Sequence, residues 1–274
     1  MNFKVITIQA QEEFSQVLQA ELGELGFNSF MEQEEGFETA IEEDLFDKVS
    51  FEEKINFYRD FTKIEFQLRN EAKQNWNKLW EENFQPITID EICIVRAEFH
   101  PEQPEFKYNI IVTPKMSFGT GHHQTTRLMV RNQLTISHQD KTVLDLGCGT
   151  GILGIMAAQL GAKSTDACDI DAWAVENTLE NAEMNKVKIN AKEGTVQVFS
   201  GNKPFDIVLA NINRNILLDE MESYSQLTKT GGNLLLSGFY FEDVTMLKEK
   251  ATQFGLKYIS QQQEDNWVSI IFGK

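Results

Sequence analysis

The chain has 274 residues, 41% hydrophobic and 24% charged, the balance of a globular protein long enough for two domains. No apolar run approaches the ~20 residues that cross a bilayer, which excludes a membrane-spanning helix. The formal net charge of −17 argues against DNA or RNA as the main partner, because nucleic-acid binders neutralise phosphates with a basic surface.

The acid is concentrated at the start: residues 1–69 hold 16 Asp and Glu against 6 Lys and Arg. Such a face either keeps the protein solvated or steers in a basic partner. The opening "MNFKVITIQAQEEF" lacks a signal-peptide core, so the expected location is the cytoplasm. Cys93, Cys148 and Cys168 form no CxxC pair and read as free thiols, not as a disulfide framework or a zinc site.

Taken in chain order, "FKVITI" alternates like a strand. A helix follows with Phe14, Val17, Leu18, Leu22 and Leu25 on one face, and Gly26 is placed to end it. "SFMEQ" and "FETAIE" flank the turn "EEG" as a hairpin. A helix over 44–58 and the strand "TKIEFQL" complete a ferredoxin-like α+β domain at 1–69. Residues 70–85 are expected to form a linker helix with Trp76, Leu79, Trp80 and Phe84 on one stripe, able to act as a hinge.

The remainder, 86–274, opens with strands at "ICIV" and "YNIIVT", then Pro114 and a helix near Thr126. From 142 strands and helices alternate: "TVLDL", helix 151–160, "STDACDI", helix 172–185, a strand near 187–191, "FDIVLAN" and helix 213–227. The turn "KTGG", strand "NLLLSGF" and helix 241–253 follow. That alternation predicts an α/β fold, a doubly wound, mostly parallel sheet covered on both faces. "LKYISQQ" and "WVSIIFG" are joined by too few residues for a crossover, so the last strand must be antiparallel.

The run "VLDLGCGTG" (143–151) is a strand, a glycine loop and a helix start, the place where such sheets bind ligands. A nicotinamide dinucleotide would require GxGxxG directly after the strand. Counting from Gly147, Ile152 stands at the third glycine position, and the match at Gly149, Gly151 and Gly154 is out of register. The pattern Asp145-x-Gly147-x-Gly149-x-Gly151 instead resembles the first motif of the class I S-adenosylmethionine (SAM) methyltransferases. That resemblance implies a Rossmann-like fold with an antiparallel last strand. It also implies an acidic residue at the end of the next strand that accepts the ribose hydroxyls. In "CDID" that residue is Asp169, with Asp171 starting the following helix as a cap.

The fourth strand of the fold ends where a methyl group is delivered. Enzymes of bases and glutamine carry Asn/Asp-Pro-Pro-Tyr/Phe there, whereas this chain reads Asn211-Ile212-Asn213-Arg214. An amine fits better than a planar base. Methyl transfer needs a neutral nitrogen, and deprotonating a lysine at pH 7 costs roughly 4–5 kcal/mol against about 1 for an α-amine. A carboxylate beside the nitrogen raises that cost. The Asn211 oxygen can accept an N–H and orient the amine without a full charge. Asn213 and Arg214 could touch substrate or cap the next helix.

The stretch "SFGTGHHQTT" (117–126) lacks further ligands for a metal and a lysine for a phosphate loop. It reads as a lid, with Thr125 or Thr126 capping the helix behind it. Together "SFGTGHHQTT", "VLDLGCGTG", "CDID" and "VLANI" resemble the bacterial ribosomal-protein methyltransferase family PrmA, over the whole chain. The family resemblance implies trimethylation of the α-amine and lysine ε-amines of large-subunit ribosomal protein eleven, gripped by the first domain. It further implies that Thr126, Gly147, Gly149, Asp169 and Asn211 contact SAM, with Phe118 and His123 on the loop above. The product would be S-adenosylhomocysteine. The expected enzyme is a monomer that needs no nucleic acid, membrane or metal. A methyltransferase of small amines or ribosomal RNA, a nicotinamide oxidoreductase and a non-catalytic SAM-binding assembly factor are the competing readings.

Overall fold

A computed structural model describes residues 2–27, 29–33, 35–72, 85–113 and 118–274. The chain divides into two compact units, Met1–Phe84 and Gln85–Lys274.

The first unit runs β1 (Asn2–Gln9), α1 (Glu12–Glu24), β2 (Ser29–Gln33), β3 (Gly36–Glu42), α2 (Lys48–Arg59) and β4 (Glu65–Ala72). Its antiparallel sheet has the order β2-β3-β1-β4, the split βαβ arrangement of a ferredoxin-like domain. Ile6 and Ile8 of β1, Phe37 and Ile41 of β3, Leu18 and Leu22 of α1, and Phe51 and Ile55 of α2 close its core. Val17 departs from the expected apolar face and is 43% exposed, because it lies about 100° around the helix from the buried Leu18. The second helix also begins later than expected. Asp47 caps it, accepting from the Val49 and Ser50 amides at 2.9 and 3.4 Å, and a short 3₁₀ turn occupies Glu43–Leu45. Residues 70–72 continue β4, so no helix begins at 70; the rest of the expected linker helix, 73–84, lies outside the described residues.

The second unit opens with a three-stranded sheet of β5 (Ile87–Ile89), β6 (Cys93–Arg96) and β7 (Tyr108–Ile111). The three-residue β5 is too short to show a period and was not expected. Next come α3 (Gln124–Leu134), β8 (Thr142–Leu146), α4 (Ile152–Gln159), β9 (Ser164–Asp169), α5 (Ala172–Met184) and β10 (Ile189–Glu193). They are followed by β11 (Phe205–Asn211), α6 (Arg214–Asp219), α7 (Met221–Leu227), β12 (Thr228–Tyr240), α8 (Val244–Gln253), β13 (Lys257–Glu264) and β14 (Trp267–Gly273).

The seven-stranded sheet has the order β10-β9-β8-β11-β12-β14-β13. Its strands are parallel except β14, which is antiparallel to both β12 and β13, as the short final connection requires. Alternate residues face opposite sides. Leu144, Val208, Leu234 and Leu236 pack in one core, and Val143, Ile207, Leu209 and Leu235 in the other. Near-continuous apolar strands follow from burial on both faces.

Two local readings change. The region 213–227 breaks into α6 and α7 at Glu220. The "KTGG" turn is a bulge within β12, since Phe205 pairs with Thr228 but Ile207 with Asn233.

Candidate active site

The carboxyl ends of β8, β9 and β11 border a cavity of about 660 Å³. The glycine loop after β8 forms its floor. Gly147 and Cys148 donate their amides to the Cys168 carbonyl at 2.9 and 3.0 Å, tying the ends of β8 and β9 together. Gly147 has φ +67°, and a Cβ there would lie 2.4 Å from Ile212 Cγ2. Side chains of α5 satisfy the loop carbonyls: Thr178 Oγ1 donates to Gly149 O at 3.0 Å and Asn181 Nδ2 to Thr150 O at 2.8 Å. Behind the loop Asp145 is fully buried and accepts the Gly154 amide at 3.0 Å. Burial pushes its carboxyl up to about 7.

Asp169 closes β9 at the cavity edge. Its Oδ2 accepts the Gly149 amide at 2.9 Å and its Oδ1 the Asp171 amide at 3.2 Å. Each oxygen keeps a lone pair for a ligand hydroxyl. Asp171 occupies the cap position of α5 but its side chain makes no cap bond; the Ala174 amide donates instead to the Asp171 backbone carbonyl at 3.0 Å.

Asn211 ends β11 and lines the cavity, and its Oδ1 is buried with no hydrogen-bond partner among the described residues. An unpaired buried acceptor costs about 1–3 kcal/mol, and a ligand N–H would relieve it. Asn213 and Arg214 resolve differently. Asn213 caps α6 through the Ile216 amide at 3.2 Å, and Arg214 pairs with Asp243 at 2.7 Å.

The loop ahead of α3 is pinned to this floor. Phe118 O accepts the Thr150 amide at 3.0 Å, and Thr150 Oγ1 donates to Gly119 O at 2.7 Å. His123, rather than Thr125 or Thr126, caps α3, its ring accepting the Thr125 amide at 3.3 Å. The reason is local: His123 holds extended backbone and both threonines are already in the first helical turn. Arg127 donates to the Gly121 and His122 carbonyls and pairs with Glu264, bracing the loop against β13. Burial, with Arg127 nearby, lowers the His123 pKa below its ordinary value.

Of the residues expected at the site, Phe118, Gly147, Gly149, Asp169 and Asn211 all line the cavity. Thr126 does not; it is wholly buried, its Oγ1 has no partner among the described residues, and its neighbour Thr125 lines the cavity instead. Sequence reasoning missed Trp267 and Glu220, which also line it. Because β14 is antiparallel, its first residue falls at the edge where the parallel strands end.

The lining includes the carboxylates of Asp169, Asp171 and Glu220 and, among the described residues, no Lys or Arg. A pyrophosphate would meet repulsion from these carboxylates, whereas a cationic ligand is favoured. Burial pushes the Cys168 thiol up to about 12, which keeps it protonated and a poor nucleophile.

A family profile described as "Ribosomal protein L11 methyltransferase (PrmA)" matches residues 4–274. The chain belongs to this family. It is 40% identical over 273 residues to the ribosomal protein L11 methyltransferase of Bacteroides thetaiotaomicron, covering 98% of each chain. It is 38% identical over 269 residues to that of Phocaeicola vulgatus, covering 97% of this chain and 96% of the relative. The crystal structure of a ribosomal protein L11 methylase from Lactobacillus delbrueckii subsp. bulgaricus superposes with a TM-score of 0.65 at 26% identity, over 70% of this chain and 99% of that one. The catalytic unit therefore has the class I SAM methyltransferase fold, and the family is one of SAM-dependent enzymes.

Proposed function

We propose that the cavity binds SAM and methylates amines of ribosomal protein L11, the α-amine and lysine ε-amines, to the trimethylated state in the cytoplasm. The observation that carries this reading is the Asn211 oxygen, without a partner among the described residues, in an acidic cavity at the end of β11. The residues present suit SAM. The Asp169 carboxylate would accept the ribose hydroxyls, and Ile170, 66% exposed on the rim beside it, offers an apolar face to the adenine. The glycine loop with Gly147 and Gly149 admits the backbone close to the ligand, and the acidic lining suits a sulfonium. Phe118 would cover the ligand from the loop.

When bound, SAM supplies an electrophilic methyl group whose C–S electron pair stays on sulfur as the amine nitrogen bonds to carbon. The chain's own part is to orient that amine. Asn211 Oδ1 accepts one N–H and holds the lone pair in line without the charge that would favour the ammonium form. The acidic first unit, net −10 over residues 1–69, suits capture of a basic ribosomal protein. The chain acts as a monomer and needs no nucleic acid.

The test is the Asn211→Ala variant assayed with SAM and L11. Loss of transfer by about a hundredfold or more, with SAM affinity within a few-fold of the parent, is expected. Full activity would sink the assigned role.

A further inference from the structure

Along one side of the cavity four rings follow one another: Tyr240, Trp267, His123 and Phe118. Their successive centroids lie 4.2, 4.7 and 5.2 Å apart. They come from the end of β12, the start of β14, the cap of α3 and the loop before it, so no single element's periodicity explains the row. Trp267, His123 and Phe118 line the cavity itself. Phe118 is 52% and Tyr240 42% exposed, so the row is not simply hydrophobic core.

We propose that this row is a binding site for methylated ammonium groups, holding the substrate nitrogen at the cavity between successive methyl transfers. The proposal rests on the reading that the cavity methylates amines. Aromatic faces carry negative charge density and attract cations, and they tolerate the apolar surface that N-methyl groups add. Hydrogen bonding alone cannot hold such a nitrogen through the reaction. Each methyl replaces an N–H, so the grip of Asn211 Oδ1 weakens with every transfer and ends at the quaternary state. The positive charge persists: each mono- or dimethyl product is an ammonium that releases one proton to water before its nitrogen can react again.

The surroundings agree with a cation. Asp169, Asp171 and Glu220 line the same cavity, and Tyr224 fixes Glu220 by donating to its carboxylate at 2.6 Å. Burial, with Arg127 nearby, favours the uncharged form of the ring at 123, lowering its pKa below the ordinary histidine value. Arg127, whose charge acts on that ring, is engaged by Glu264 and two loop carbonyls.

The test titrates the full chain with Nα-acetyl-trimethyllysine amide and with its uncharged isostere, in which a tert-butyl group replaces the trimethylammonium, followed by NMR. Tighter binding of the cation by roughly tenfold is expected, with that preference lost in Phe118→Leu and Trp267→Leu and largely kept in Trp267→Phe. Equal affinity of the wild-type chain for the two probes overturns the proposal and needs no variant to fold. A preference unchanged in both leucine variants, even with weaker SAM binding, also overturns it and assigns the rings to the cofactor. With L11 and SAM, the ratio of trimethylated to monomethylated product is expected to fall several-fold in Trp267→Leu. An unchanged ratio overturns the proposal while leaving amine methylation standing. If the wild-type chain transfers no methyl group to any amine, the underlying reading fails instead.

Discussion

Alanine at position 149 tests how tightly the glycine loop and the loop above it are fitted. Gly149 has φ +55°, and a Cβ built there lies 2.4 Å from Phe118 O and 3.3 Å from Phe118 C. Both are backbone atoms, so no rotamer change relieves the clash. Restoring an ordinary contact moves Phe118 by about an ångström, and the 3.0 Å bond from Thr150 N to Phe118 O is lost. The left-handed backbone costs an alanine about 1–2 kcal/mol, and the bond adds about 1 kcal/mol. The variant should therefore lose about 2–3 kcal/mol, lowering the melting temperature by roughly 4–12 °C. Displacing the loop by that distance should slow transfer by up to roughly a hundredfold. Gly201→Ala is the control: φ is +81° but nothing lies within 4 Å of its Cβ, so only the backbone cost of about 1–2 kcal/mol applies. Calorimetric melting of both variants, with SAM titrations, separates strain from collision. A Gly149→Ala protein that melts with Gly201→Ala and binds SAM like the parent would refute the fitted-loop argument.

Further outcomes can be stated for other sites. Asp169→Ala should weaken SAM binding by about 2–3 kcal/mol, roughly 30- to 150-fold, measured by calorimetry; an unchanged affinity would remove Asp169 from the ribose contact. Asp145 ionises near 3.8 unfolded and near 7 folded. Its contribution to stability is complete below pH 3.8 and is lost as pH rises through 7, up to a few kcal/mol. Urea denaturation of Asp145→Asn should show that decline flattened. His138 has the opposite sign. Burial lowers it from 6.5 to about 4, so its contribution is present above pH 6.5 and is lost as pH falls toward 4. The acid-side loss, about 3 kcal/mol at most, should shrink in His138→Leu; equal acid sensitivity of parent and variant would place the titration elsewhere.

Much of the fold was legible because burial writes itself into sequence. Strands buried on both faces read as apolar runs, and "VLDLGCGTG" marks the first strand end by its glycines. Asp169 and Asn211 were legible because each closes a strand of the parallel sheet, where ligands gather. What was not legible depends on contacts between distant segments. Trp267 reaches the cavity only through the antiparallel pairing of β14 with β12, which sets it opposite Tyr240. His123 caps α3 with its ring, a role for which threonine is the usual expectation. Thr126 and Thr125 differ by one residue and hence by about 100° around α3, enough to exchange a cavity wall for the interior. Glu220 sits at the break between α6 and α7, and the run 213–227 carries no breaker to announce it.

The central claim, amine methylation of ribosomal protein L11, is tested most directly by intact-protein mass spectrometry of purified L11 incubated with this chain and SAM, with peptide mapping of the modified residues. We expect mass gains in methyl-sized steps that converge on trimethylated sites at the α-amine and at lysines. An L11 mass that stays unchanged while SAM binding is measured in the same sample would contradict the substrate. Methylation confined to side chains other than amines would contradict the chemistry assigned to Asn211.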